Sequence, residues 1–168
     1  MQPRFFDSAA VQEISQLKAR YFRFLDTKQW DAFADLFAPD AVLDARESFL
    51  ARHPVTGEPF VHGDGDLVRT LDTGDMLMVG GKTIAAKGAM LWKDVVTVHH
   101  GHMAEIELSN AQEGSAIWAM EDRLLFLNPA SPIKEIHGFG HYHERYRKVE
   151  GHWQIVQSRL SRLRVDVC

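Results

Sequence analysis

"VVTVHHGHMAEIELS", residues 95–109, decides how this chain folds. Apolar and β-branched residues alternate there with polar ones, the two-residue period of a strand with one covered face. Two further segments, "GSAIWAMEDRLLFL" (114–127) and "GFGHYHERYRKVEGHWQIVQSRLSRLRVD" (138–166), keep that period, and the second is divided by a turn at Glu150 and Gly151. Four strands are therefore expected after residue 95. Upstream the period changes. Val11, Ile14, Leu17, Tyr21 and Leu25 recur at steps of three and four, predicting an amphipathic helix that begins near a Ser or Asp cap. In "KQWDAFADLFAPD" (28–40), Trp30, Phe33, Leu36 and Phe37 predict a second helix ended by Pro39. "AVLDA" (41–45) reads as a first strand, and "GGKTIAAKGAMLWKD" (80–94) as a third helix that buries Ile84, Met90 and Leu91. Helices first and strands later give the α+β class, with helices packed on one face of a curved antiparallel sheet that can form a cone around a pocket.

Composition narrows the function. A chain of 168 residues, 45% hydrophobic and 25% charged, suits one domain spanning residues 1–168. The net charge of -4 offers no basic field for nucleic acid or an anionic membrane, and no stretch approaches the length of a membrane span. A cytoplasmic protein is expected, since the amino terminus carries no leader pattern. Its one cysteine, Cys168, excludes an internal disulfide and the common thiolate zinc sites. Residues 46–80, rich in Pro and Gly around "RHPVTGEPFVHGDGD" (52–66), carry no readable motif and are expected to form a lid or insertion.

Strand parity divides the histidines of the opening segment. His99 shares a face with Thr97 and Met103; His100 and His102 share the other, with Glu105 close behind. A second His-x-His pair, His141 and His143, lies on a later strand, and the two pairs could in principle hold a divalent metal. Solvated surface is the plainer reading of both. On "AIWAMEDRLL", Trp118, Met120, Asp122 and Leu124 share one parity, an apolar face interrupted by a carboxylate. If that face and His99 line one cavity, an imidazole beside a carboxylate makes a general base; the alternative is a buried ion pair of Asp122 with an arginine of "SRLSRLR".

"ARYFRFLDTKQWDAFADLFAPDAVLD", "TVHHGHMAEIEL", "AIWAMEDRLLF" and "GHYHERYRKVEGHWQIVQSRLSRLRV" together resemble the SnoaL-like branch of the nuclear-transport-factor-2-like superfamily. Within it the motifs are most similar to the bile acid 7-alpha-dehydratase group, and more distantly to scytalone dehydratases. The resemblance implies a helix-lined cone and a functional set of Tyr21, Asp26, His99, Asp122 and Arg162. It implies a cofactor-independent lyase with no metal, in which His99 moves the proton, an aspartate stabilises its cation, and Tyr21 donates to a carbonyl oxygen. A hydrophobic, steroid-like substrate would rest on Trp118, Met120, Met103 and Tyr142. A homo-oligomer, dimer or trimer, is the implied assembly. An isomerase or cyclase could use the same pocket, and a non-catalytic binding module or a metal-dependent cupin-like enzyme are the remaining alternatives. Helical geometry sets one condition: Asp26, five residues beyond Tyr21, reaches the cavity only if it ends the first helix.

Overall fold

The computed structural model describes residues 6–53, 55–60, 62–63 and 75–168. Helices α1 (Ser8–Asp26) and α2 (Trp30–Ala34) come first, followed by β1 (Phe37–Asp44), β2 (Ala51–Arg52), β3 (Pro59–Phe60), β4 (His62–Gly63) and β5 (Leu77–Val79). Helix α3 (Gly81–Leu91) leads into four long strands, β6 (Val95–Leu108), β7 (Glu113–Phe126), β8 (Glu135–Val149) and β9 (His152–Val167).

Helix α1 starts where its capping chemistry allows. The Asp7 carboxylate accepts from the backbone N–H groups of Ala9 at 3.0 Å and Ala10 at 3.2 Å, a cap worth about 1 kcal/mol. Its buried stripe runs Ala10, Ile14, Leu17, Lys18, Tyr21, Phe22, Leu25. The helix stops through two backbone bonds, Gln29 N to Phe24 O at 2.8 Å and Lys28 N to Leu25 O at 3.3 Å, with Lys28 at φ 58°. This is the paired-carbonyl termination that a left-handed residue permits, and it makes Asp26 the last helical residue. The condition on Asp26 is met.

Two expected helices differ in detail. Helix α2 ends at Ala34, and Phe37 opens β1, so Pro39 lies within a strand rather than after a helix. The aromatic period marked burial, since Phe33, Leu36 and Phe37 all enter the core, and the chain turns once Ile155 N can donate to Leu36 O at 2.9 Å. Pairing of β1 with β9 is interrupted between Phe37 and Val42, which spares Pro39 from a ladder bond it could not donate. In α3, Ile84 is buried with Gly81, Ala85 and Gly88, whereas Met90 is exposed. Met90 lies about 200° around the helix from Gly88, off the packed face. A Cβ on Gly88 would stand 2.8 Å from the Trp30 ring, so the missing side chain sets how closely α3 lies on α2.

The four long strands form an antiparallel ladder in the order β9-β8-β7-β6, and Glu150 (φ 51°) and Gly151 (φ 84°) make the tight turn between β8 and β9. The whole sheet is mixed. Segments β1, β2 and β4 run parallel to β9, meeting it successively at Phe37–Ile155, Ala51–Arg162 and His62–Asp166. They cover an edge that would otherwise expose unpaired backbone groups. The cone does not close, because β6 ends the other side of the path. Register shifts at Gly101/Ala104, Phe139/Gly140 and Arg145/Tyr146 interrupt the ladder, as bulges that bend a strand do. Helix α1 lies against β6 and β9, and the main core fills the space between helices and sheet. Within the expected lid the structure describes the turn at 46–49, the short strands β2 to β5 and their flanking residues; residues 54, 61 and 64–74 lie outside the described residues. Among the described residues, no helix is long and apolar enough to cross a membrane.

Candidate active site

Helices α1, α2 and α3 and strands β1 and β5 to β9 all contribute to a cavity whose wall includes Tyr21, Leu25, Phe33, Leu43, Phe49, Met76, Met78, Leu91, Trp92, His99, Asp122, Leu124, Tyr142, Leu160 and Arg162. The wall is mostly apolar. His99, whose side chain is 6% exposed, stands in that wall with carboxylates on two sides.

The end of α1 and the inner edge of β6 fix one side of that imidazole. Asp26 Oδ1 lies 2.6 Å from His99 Nδ1, and Asp26 Oδ2 accepts the His99 backbone N–H at 2.8 Å. Thr97 Oγ1 donates to Asp26 Oδ1 at 2.9 Å and itself accepts from Lys28 Nζ at 2.8 Å. A carboxylate at that distance requires the proton on Nδ1, which leaves Nε2 as the free nitrogen of the neutral ring. Nε2 lies 3.8 Å from Asp122 Oδ2, beyond a hydrogen bond and close enough for charge attraction. The Phe22 ring stacks on the imidazole with planes 15° apart and centroids 6.3 Å apart. Gly101 admits it, since a Cβ there would stand 2.4 Å from the Phe22 ring. The glycine inside the histidine cluster therefore has a packing reason.

Asp122 is held from the opposite side. Arg162 Nη2 donates to Asp122 Oδ2 at 2.7 Å, Nε donates to Ser48 O at 2.6 Å, and Nη1 approaches Met120 Sδ at 3.4 Å. Both charged side chains are nearly inaccessible, at 2% and 3% exposure. The expected buried ion pair of Asp122 with an arginine is present, and the same carboxylate oxygen faces the imidazole. Asp122 Oδ1 is buried and has no hydrogen-bond partner among the described residues. Gly138 makes room for the pair: a Cβ there would lie 2.4 Å from Arg162 Nη1 and 2.6 Å from Asp122 Oδ1. Arg159 and Arg164 are exposed, so Arg162 is distinct from its neighbours in sequence.

Tyr21 and Tyr142 complete the polar wall, with ring centroids 5.7 Å apart. Burial, reinforced by the charge of Glu144, holds Tyr21 well above the usual phenol range, and burial does the same for Tyr142. Both remain neutral O–H groups at any physiological pH.

All five residues of the expected functional set, Tyr21, Asp26, His99, Asp122 and Arg162, line or adjoin this cavity. The expected substrate-contacting set is corrected. Tyr142 lines the cavity, but Met103 is 94% exposed on the opposite face. The bulge between Gly101 and Ala104 inserts extra residues and reverses parity, so Ala104 and Ile106 turn inward in its place. Trp118 is buried outside the cavity wall, its indole N–H donating to Tyr146 Oη at 2.9 Å, and Met120 lies behind Arg162. The His-x-His pairs face outward. His100 reaches Glu121 at 3.2 Å, His143 bonds Ser161 Oγ at 2.9 Å, and β7 separates the two pairs. Among the described residues, no group of three or more His, Cys, Asp or Glu side chains is placed to hold a metal ion.

Several participants escaped the sequence reading. Thr97 and Lys28 support Asp26, and Lys18 with Glu144 forms a buried pair at 2.7 Å. A signal existed for the last two, since Lys18 falls on the apolar stripe of α1 and Glu144 shares the inward parity of Tyr142 and Tyr146.

The fold has counterparts among known proteins. A Gibberella zeae protein named "Probable cyclase FGR4" is 29% identical over 163 residues, covering 94% of this chain and 92% of its own. The hexachlorocyclohexane dehydrochlorinase LinA-type3 of Novosphingobium barchaimii superposes with a TM-score of 0.66 at 14% identity, covering 95% of this chain and 90% of that one. A structure from Novosphingobium aromaticivorans, provisionally named a scytalone dehydratase, gives 0.65 at 15% identity over 92% and 84% of the two chains. At such identity these structures establish the shared fold. The family model of the SnoaL-like domain matches residues 7–159, and the chain belongs to that family.

Proposed function

We propose that this protein is a cofactor-independent lyase, a dehydratase that removes water from a hydrophobic, steroid-like or polycyclic β-hydroxy-ketone by acid–base catalysis at His99. The observation that carries this reading is the imidazole between two carboxylates, with Asp26 on Nδ1 and Asp122 beside Nε2, in an apolar cavity that also presents Tyr21. His99 Nε2 takes a proton from the carbon next to the carbonyl, and the electron pair moves onto the carbonyl oxygen. The Tyr21 hydroxyl donates to that oxygen, supplying the stabilisation without which carbon-acid ionisation is slow. The imidazolium lies between Asp26 and Asp122, whose charges offset its own. As the enolate collapses, the β-carbon–oxygen bond breaks and the imidazolium protonates the departing hydroxyl, giving an enone, water and the neutral imidazole.

Arg162 holds the Asp122 carboxylate in place, and the aliphatic and aromatic wall favours a large apolar body over a small polar one. A cyclase is the second reading, favoured by the Gibberella relative, because the same enolate can attack an internal carbonyl. The test is a screen of polycyclic β-hydroxy-ketones for enone absorbance with wild type and His99→Ala. Turnover that vanishes in the variant supports the lyase. Carbon–carbon bond formation without loss of water from the hydroxyl-bearing carbon supports the cyclase, and equal turnover in both proteins overturns the role of His99.

A further inference from the structure

Behind the cavity wall, the Lys18 ammonium is fully buried in the middle of α1. It donates to Glu144 Oε1 at 2.7 Å and lies 3.9 Å from the centroid of the Tyr21 ring and 3.6 Å from that of Tyr142. Phe22, on the same helix, is 4.8 Å away. Glu144 accepts from three donors, Ser158 Oγ at 2.9 Å, the Tyr146 hydroxyl, and Lys18 itself. Ser158 also belongs to the cavity wall. The groups that face Lys18 are therefore one carboxylate, Glu144, and the phenols of Tyr21 and Tyr142, with Tyr146 acting through Glu144.

A buried ion pair kept for stability alone gains nothing from this placement, since an apolar pair of the same volume serves as well. A cation centred over two phenol faces has a chemical consequence. It draws electron density from the rings, which makes their hydroxyls stronger donors and eases negative charge developing beyond them. We propose that Lys18 is a positioning residue for the cavity, held by Glu144 against Tyr21 and Tyr142 so that its positive charge sets the donor strength of both phenols. The inference rests on the reading of Tyr21 as the carbonyl donor.

Burial, partly opposed by Glu144, lowers Lys18 to about 8 from the usual 10.5. The charge is then lost as pH rises through about 8. Its effect on stability has the opposite sign: between those two values the unfolded chain binds a proton that the folded chain has released, so this group favours folding as pH rises. Loss of activity there would not be unfolding driven by Lys18.

The chain has three tyrosines, so isotope labelling at the phenolic carbon gives a three-signal spectrum. In wild type, the Tyr21 and Tyr142 signals should move together through a step near pH 8. Lys18→Met should abolish the step, and Lys18→Met/Glu144→Gln, which leaves no orphaned carboxylate, provides a folded control checked by circular dichroism. With an accepted hydroxy-ketone, the double variant should lose about tenfold in kcat, keep its KM, and lose the alkaline limb of the pH profile. No step in wild type, a step that persists in the double variant, or unchanged kcat and pH profile in that variant overturns the proposal. A Lys18-dependent step with no turnover of any hydroxy-ketone supports the coupling and overturns the lyase reading, so the two failures are distinct.

Discussion

His99 and His100 are adjacent on β6, yet their side chains are 6% and 63% exposed. The inner ring meets two carboxylates, an aromatic face and a cavity; the outer ring meets Glu121 and water. Identical chemistry thus acquires different capacities from the pleat alone. Inside, low dielectric and fixed partners make each charge consequential, whereas outside the same pairing is screened. The two faces of one sheet separate an enclosed cavity from side chains that meet solvent.

Substitutions can break that contrast. His99→Ala should lower turnover by about 100- to 10,000-fold while the fold is retained, measured as kcat beside a thermal melt. Asp26→Asn comes next, with a loss on the order of 100-fold, because an amide can present its oxygen or its NH2 to Nδ1 and no longer fixes the proton there. Arg162→Met should destabilise the fold by about 3–5 kcal/mol in denaturant titration, since Asp122 would be left buried without its cation. Adding Asp122→Asn to that variant should restore much of the stability without restoring activity. At the other end, His100→Ala and Met103→Gln should each stay within about twofold of wild type in kcat and within about 0.5 kcal/mol in stability. A large effect of Met103→Gln would mean that the bulge does not turn this residue outward.

The Asp122–Arg162 pair sharpens the comparison further. Arg123 with Glu135 joins the same kinds of group on the outer face, but its arginine is 54% exposed. Arg123→Met should change stability by less than about 1 kcal/mol, the range of exposed ion pairs. Comparing it with Arg162→Met in one denaturation series isolates burial as the cause.

Much of this was legible in the residues. The alternation after residue 95 and the three-and-four stripe of α1 reported burial directly, and they correctly separated His99 from His100. The same signal was misleading where local geometry intervened. Met103 followed strict parity in sequence, and the bulge at Gly101/Ala104 reversed it. Phe37 followed helical period, and pairing with β9 made it a strand residue. Lys18 and Glu144 stood at inward positions as charged residues, but one chain does not reveal which buried charges will meet when 126 residues separate them.

The sequence by itself determined the α+β class, the four long strands and which histidine faces inward, because side-chain period and backbone period are the same physical quantity. Only the tertiary structure decided that the Asp26 carboxylate would grip His99 Nδ1 and that Arg162 would hold Asp122 across from it. Those contacts depend on how a helix end, two bulged strands and the covered edge of β9 come together. Such distances are set by packing in three dimensions, and no local pattern encodes them.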